Sequence, residues 1–309
     1  RHTFRDADNL TVHANFNLGD YKSVVTKWDS DDYTNTTYEG KEYGEIWGFQ
    51  TDRYFTQDDF VGTDENGHPI YADGVADQTA LESGKFVYGP GDIKFVDQNG
   101  DGVINWGYAK DDLVNNPDTL APGTKNNHGD LVKIGNSTPR FQYSFRLGAE
   151  WKGLSLTAQL GASWGGYQLL PTDAREGLGN IAYNNMPSFW NPDNVFVYQD
   201  IYDGSGNLIQ AQNREAKYPN PGFSQNALAS SFWRISSTNV TLRRVTLAYT
   251  LPKSWTAGWG IHNVRINVTG QNLINFYNPY PDNFTSPMAG TYGRYPALRK
   301  WTVGVNLSF

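Results

Sequence analysis

The last ten residues alternate. Trp301, Val303, Val305, Leu307 and Phe309 are apolar, and Lys300, Thr302, Gly304, Asn306 and Ser308 between them are polar or small. A period of two puts one set on each face of a β-strand. Phe141, Tyr143, Phe145, Leu147, Ala149 and Trp151 alternate in the same way with Gln142, Ser144, Arg146, Gly148 and Glu150. So do Leu154, Leu156, Ala158, Leu160, Ala162 and Trp164 with Ser155, Thr157, Gln159, Gly161 and Ser163. Lys152-Gly153 between these two segments predicts a two-residue hairpin turn, with the glycine supplying a positive φ. Such a turn makes Trp151 and Leu154 cross-strand neighbours. Both are apolar, so the register is self-consistent. Leu10 to Leu18 and Val264 to Val268 alternate too. Residues 240–251 change phase between Leu242 and Val245, which predicts a bulge or a strand boundary. Residues 45–54 are a weaker strand candidate. The reading is about seven strands and no amphipathic helix.

The connections choose the architecture. Residues 55–140, 165–239 and 276–297 are long, polar and rich in Gly, Pro, Asn and Asp, whereas 152–153 and 252–262 are short. Long and short connections alternate, as do the extracellular loops and periplasmic turns of outer-membrane barrels. A soluble sandwich does not normally carry loops of this length at one end only. Strands of about ten residues exceed the common five or six. Phe141, Trp151, Trp164 and Tyr249 sit near strand ends, where an interfacial girdle belongs. The predicted fold class is therefore all-β, an antiparallel transmembrane β-barrel with long extracellular loops.

Composition narrows the function. Aromatics make up 15 % of the 309 residues and charged residues only 18 %, a mix that suits strands with aromatic belts or sugar-stacking surfaces. The absence of cysteine removes disulfides, a thiol nucleophile and Cys-ligated metals. A net charge of −7 argues against a nucleic-acid partner, which requires a basic face. No apolar run is long enough for a spanning helix, but spanning strands need only about 9–11 alternating residues.

Several segments then resemble a family. Gly44 to Asp52, Gly91 to Ile104, Ile134 to Phe141 with the Trp151–Leu154 hairpin, Val240 to Pro252, Gly270 to Leu273, and Tyr295-Pro296 through Phe309 resemble, in order, motifs of SusC/RagA-type TonB-dependent transporters. The resemblance covers nearly the whole chain. It implies the C-terminal part of a 22-stranded barrel over residues 1–309, with the plug domain and N-terminal strands outside this chain. It also implies a Gram-negative, Bacteroidota-like outer membrane, a SusD-type surface lipoprotein as lid, coupling to TonB, and a nutrient cargo, oligosaccharide or peptide. The terminal Phe309 fits the assembly signal of such barrels.

Four motifs carry chemistry. Asp97, Asn99 and Asp101, followed by Gly102, Val103 and Asn105, match the start of an EF-hand-type calcium loop: three side-chain oxygens, a turn glycine and the Val103 carbonyl. Position twelve is Tyr108 instead of an acid. The resemblance offers Asp130 as the missing ligand, beyond an apparent insertion at 106–128, with Asp111 and Asp112 as competitors. A calcium loop and an Asx-rich turn held by its own hydrogen bonds stand as equal alternatives. Gly161-Ala162-Ser163-Trp164-Gly165 satisfies G-x-S-x-G, but Ser163 continues a strand, whereas a nucleophile elbow turns into a helix. The acid pairs Asp58/Asp59 and Asp111/Asp112 read as solvated loop charge. Trp47, Trp106, Trp190, Tyr183, Tyr198 and Tyr218 either stack on cargo or pack the loops, and packing is the favoured reading for each. The chain thus reads as a transporter and not an enzyme. The competing reading is a soluble all-β, calcium-stabilised carbohydrate-binding or adhesion module.

Overall fold

A computed structural model describes residues 2–5 (backbone only), 10–29, 32–107, 123–177, 186–287 and 297–309. They form two compact units, residues 1–22, 139–166 and 236–309 in the first and 23–138 with 167–235 in the second.

The first unit is one antiparallel sheet of seven strands that follow one another in chain order: β1 (His2–Arg5), β2 (Thr11–Asp20), β3 (Phe141–Trp151), β4 (Leu154–Trp164), β5 (Asn239–Thr250), β6 (Asn263–Asn275) and β7 (Lys300–Ser308). The predicted hairpin is present: Lys152 and Gly153 have φ of 46° and 86°, and Trp151 faces Leu154. A Cβ on Gly153 would stand 2.7 Å from the Thr250 carbonyl oxygen, so the turn needs glycine for space as well as for φ. The phase change in β5 is a bulge. Arg244 pairs with Gln159 and Leu242 with Leu160, which leaves Arg243 as the extra residue. Asp20, Phe141, Trp164 and Asn239 share one end of the sheet, where the long connections leave. The short turns lie at the other end.

Residues 45–54 are largely strand, as expected, but they do not join this sheet, whose seventh strand is His2–Arg5 instead. Glu45–Phe49 and Thr51–Tyr54 are two short strands of the second unit, paired with Leu131–Asn136 and Ile93–Phe95. The reason is local. Gly48 lies so close to another backbone that a Cβ would meet the Ala229 oxygen at 2.5 Å, and the Phe49 amide donates to that same oxygen. Gly48 and Phe49 are thus buried in a core and packed from the strand edge, while Asp52 and Arg53 stay exposed.

The second unit is made of the two long connections, and it has a core of its own. Phe49, Phe55, Ile93, Phe95, Ile104, Phe189 and Trp233 are buried in it. Phe49 stacks on Phe95 with ring centroids 4.7 Å apart, and Tyr218 stacks on Trp233 at 6.1 Å. Its pieces are two-stranded ribbons and turns. The α-helices of the described residues are single turns, Thr172–Arg175 and Lys253–Thr256, and none is long and apolar enough to cross a membrane.

Candidate functional site

The alternation in each strand becomes a two-faced surface once the strands pair. Val12, Ala149, Leu156, Leu247, Val268 and Val303 form one cross-strand row. Trp151, Leu154, Tyr249, Ile266 and Val305 form the next row toward the short turns. No register slip puts a polar residue into either row. This face is open: Val303 is 70 % exposed, Trp301 66 % and Phe16 60 %. Soluble monomers rarely leave so broad an apolar surface uncovered. Aromatics mark its limits. Trp164 packs against Phe141 and Tyr143 at the loop end, with centroids 5.8 and 5.3 Å away, while Trp151 and Tyr249 share the row at the turn end. Ten residues of strand separate the two sets. That is about 33 Å along the strand, or about 25 Å of height after the usual tilt, the height of an outer-membrane apolar band.

The opposite face is polar. Asn15, Arg146, Gln159, Arg244, Gln271 and Lys300 lie in one row across six strands. At the bulge, Arg243 and Arg244 border a concavity of about 340 Å³ together with Gln159, Asn239, Thr241, Gln271 and Asn272. Single-sequence reading missed this cluster because two consecutive arginines in a strand normally point to opposite faces. Ser163 sits within β4, paired with Gln142 and Asn239. No nucleophile elbow exists there.

The second unit holds the Asp/Asn loop. Asp97 accepts hydrogen bonds from the amides of Gly100 (2.7 Å) and Gly102 (2.9 Å). Asn99 Oδ1 accepts from the Asp101 amide, its Nδ2 donates to the second Asp101 oxygen, and Asp101 Oδ1 accepts from the Val103 amide. The fully buried Asp130 reaches this loop and accepts from the amides of Gln98 and Asn105, both at 2.8 Å. Burial pushes its carboxyl up, the two amides pull it down, and the charges of Asp97 and Asp101 push it up again. Asn105 Oδ1 in turn accepts from the Gly107 amide. The sequence-predicted set Asp97, Asn99, Asp101, Val103, Asn105 and Asp130 is therefore gathered around one turn. Asp130 serves there as a clamp on two backbone amides. Among the described residues no three His, Cys, Asp or Glu side chains are close enough to hold a metal by themselves. The donor set suits only a hard, oxygen-seeking cation completed by Asn99 and a carbonyl. Tyr108, Asp111 and Asp112 lie outside the described residues, as does Tyr183.

The other aromatic candidates divide. Trp190 and Tyr218 are buried, and the Trp190 indole donates to the Ala174 carbonyl at 2.7 Å. Trp106 packs on Phe49, and the Trp47 indole donates to Glu45. Packing is their role. Tyr198 is exposed, carries Arg214 over its ring at 4.7 Å, and with Trp190 borders an apolar cleft of about 570 Å³ that also includes Met186, Phe196 and Ile201. Asp58/Asp59 was read as solvated loop charge, but Asp59 is buried and forms a bidentate pair with Arg53, both contacts 2.6 Å.

No family profile matches the chain. It is 28 % identical over 192 residues to the TonB-dependent receptor P3 of Formosa agariphila, covering 57 % of this chain and 17 % of that protein. It is 22 % identical over 269 residues to the TonB-dependent receptor P26 of the same organism, covering 82 % of this chain and 22 % of that protein. In structure it matches the RagAB peptide transporter with a TM-score of 0.56 at 19 % identity, over 99 % of this chain and 28 % of that chain. In sequence the chain is similar to TonB-dependent receptors, and its fold is similar to part of the RagAB peptide transporter. A second RagAB structure, of the peptide importer in its closed-closed state, matches with a TM-score of 0.56 at 17 % identity. The chain spans about a fifth of the curated relatives' length, 17 % and 22 %. Those relatives and neighbours are receptors and transporters, not enzymes.

Proposed function

We propose that this chain is part of the barrel wall of a TonB-dependent importer in the outer membrane of a Bacteroidota-like bacterium. The apolar rows carry the reading: in lipid they are satisfied, and in water they are not. The polar face then lines the lumen. The uncovered apolar face counts against a soluble binding or adhesion module. By analogy with the peptide transporter it resembles, the cargo is a peptide; the SusC/RagA-type motifs add an oligosaccharide as the alternative cargo, a SusD-like lipoprotein as lid and energy arriving through TonB. The long connections, folded as a cored unit, serve as a fixed surface for lid and cargo. The test is fractionation of cells expressing the full-length protein, with uptake of labelled peptide and oligosaccharide pools. Outer-membrane recovery in a heat-modifiable form and TonB-dependent uptake are the expected results. Recovery of the 309-residue chain as a soluble, cooperatively melting monomer would sink the reading.

The proposal includes a calcium ion in the loop of Asp97, Asn99, Asp101 and Val103, with Asp130 and Asn105 holding the loop from behind. The charges of Asp97 and Asp101 act against ionisation of Asp130, and a cation in the loop would offset them. Limited proteolysis of the purified full-length protein tests this. Chelator is expected to speed cleavage within residues 91–135, and Asp97→Ala with Asp101→Ala is expected to reproduce the chelated pattern. Cleavage that ignores the chelator refutes the ion.

A further inference from the structure

We propose that the hairpin of residues 60–71 is a proton-operated latch, held on Glu82 by the tip residue His68 when that imidazole is protonated and loosened when it is neutral. The strands Phe60–Thr63 and Pro69–Tyr71 form a two-stranded ribbon in the second unit. Its root is packed. Phe60 and Tyr71 lie against Phe55, with ring centroids 5.1 and 5.8 Å from it, and the Ala72 amide donates to the Asp59 carbonyl. Beyond the root the ribbon stands off. Val61 and Ile70 are exposed, and a Cβ on Gly62 or Gly67 would meet nothing within 4 Å. Asp64 preforms the tip. Its Oδ1 accepts from the amides of Asn66 and His68, both at 2.8 Å, and its own amide donates to the His68 carbonyl. These bonds stay inside the turn. Among the described residues, the one hydrogen bond that ties 61–70 to anything outside the hairpin joins His68 Nδ1 to Glu82 Oε2 at 2.6 Å.

The two partners are unequal. The Glu82 side chain is only 5 % exposed, and its Oε1 is fixed by the Tyr88 amide at 2.8 Å. His68 is 43 % exposed, sits on the tip, and changes charge near neutral pH. Protonated, it sets a cation on the Glu82 carboxylate. Neutral, it gives up the ion pair and carries a proton on Nδ1 in one of its two tautomers only. The Glu82 hydrogen bond raises the imidazole above its ordinary value of 6.5, and desolvation opposes the rise. The charges of Glu82 and Asp77 on the facing segment and of Asp64 in the turn add to it. A raised imidazole stabilises the docked hairpin fully below about 6.5, and that benefit is lost as pH rises through the folded value. The anchor is therefore present in mildly acidic surroundings and withdrawn in alkaline ones. The latch is a property of the second unit and does not depend on the import reading.

Hydrogen exchange of the full-length protein in detergent, followed by mass spectrometry, tests the latch. After correction for the intrinsic rate of amide exchange, residues 60–71 are expected to lose protection about threefold between about pH 6.5 and about pH 8.5, the scale a partly screened pair allows. His68→Gln still donates but does not titrate, and is expected to flatten that response. Asp92, which titrates at about 6 in the same unit, is present in both proteins and cancels in the comparison. Exchange of the imidazole C2 proton follows His68 itself. Its titration point is expected above about 6.5 in the native protein and closer to about 6.5 in Glu82→Gln. The proposal is overturned if native protection of 60–71 is the same at both pH values, if His68→Gln keeps the response, or if native His68 titrates at or below about 6.5.

Discussion

Arginine in place of Val268 is expected to destabilise the folded barrel by about 1–2 kcal/mol, between the cost of a cation at the bilayer midplane and its cost at the interface. Val268 lies in β6 between Leu247 and Val303, one row inside the Trp151–Tyr249 row of the apolar face. Its chain neighbour Asn267 points the other way, beside Gly304. Arginine at 267 stays in the aqueous lumen and is expected to cost less than about 1 kcal/mol. The two positions share a strand, a depth and a substituent, so their difference isolates the direction of the face. Urea titration of the full-length protein refolded into lipid vesicles measures both. Equal costs at 267 and 268 would mean that the apolar face does not meet lipid.

That face was readable because a barrel strand must satisfy two solvents with a period of two. The hairpin at Lys152-Gly153 and the phase change at Leu242–Val245 followed from the same rule, one as a turn and one as a bulge. Alternation does not say where a bulged side chain goes. The placement of Arg243 over Gly161 is therefore visible only once the strands pair. The β1 strand was missed because four residues are too few to display a period.

The second unit was legible only in fragments. Its core residues, such as Phe55, Ile93, Phe189 and Trp233, are scattered singly among Gly, Pro, Asn and Asp. Ribbons and turns leave no periodic trace, so long polar segments read as loops. The Asp/Asn loop was found because its spacing is dictated by one tight turn. Asp130 was found by resemblance, but its work as a clamp on the Gln98 and Asn105 amides depends on a contact 25 or more residues distant. Asp59 was misread for the same reason. Its partners, Arg53 and Lys94, come from different segments, and its burial is a tertiary fact.

Asp59 yields the second large effect. Burial alone would raise its carboxyl, but the Arg53 fork and the Thr56 amide and hydroxyl outweigh burial and hold it well below the usual carboxylate range. Arg53→Ala strands this carboxylate with Lys94, 3.6 Å away, as its remaining cation. The expected loss is about 1–2 kcal/mol, below the range for a fully buried pair, because Arg53 is half-exposed and Lys94 and Thr56 stay. Read by hydrogen exchange, amides of residues 54–60 should exchange about tenfold faster. Adding Asp59→Asn removes the stranded charge and should restore most of the protection. A single variant that exchanges like the native protein would show the pair to be ornamental. The pH dependence has a fixed sign. A depressed carboxyl stabilises fully above its unfolded value, about 3.9, and the benefit is lost as pH falls through the lower folded value. Asp92, buried under Asn220 and Asn226, behaves oppositely. Burial lifts its carboxyl to about 6, so the folded unit binds that proton more tightly than the unfolded chain does. Acidification from about pH 6 to pH 4 should therefore strengthen the second unit through Asp92, and only below about pH 4 should the loss of the Asp59 pair reverse the trend. Protection that falls monotonically from pH 6 downward would contradict the assignment of Asp92.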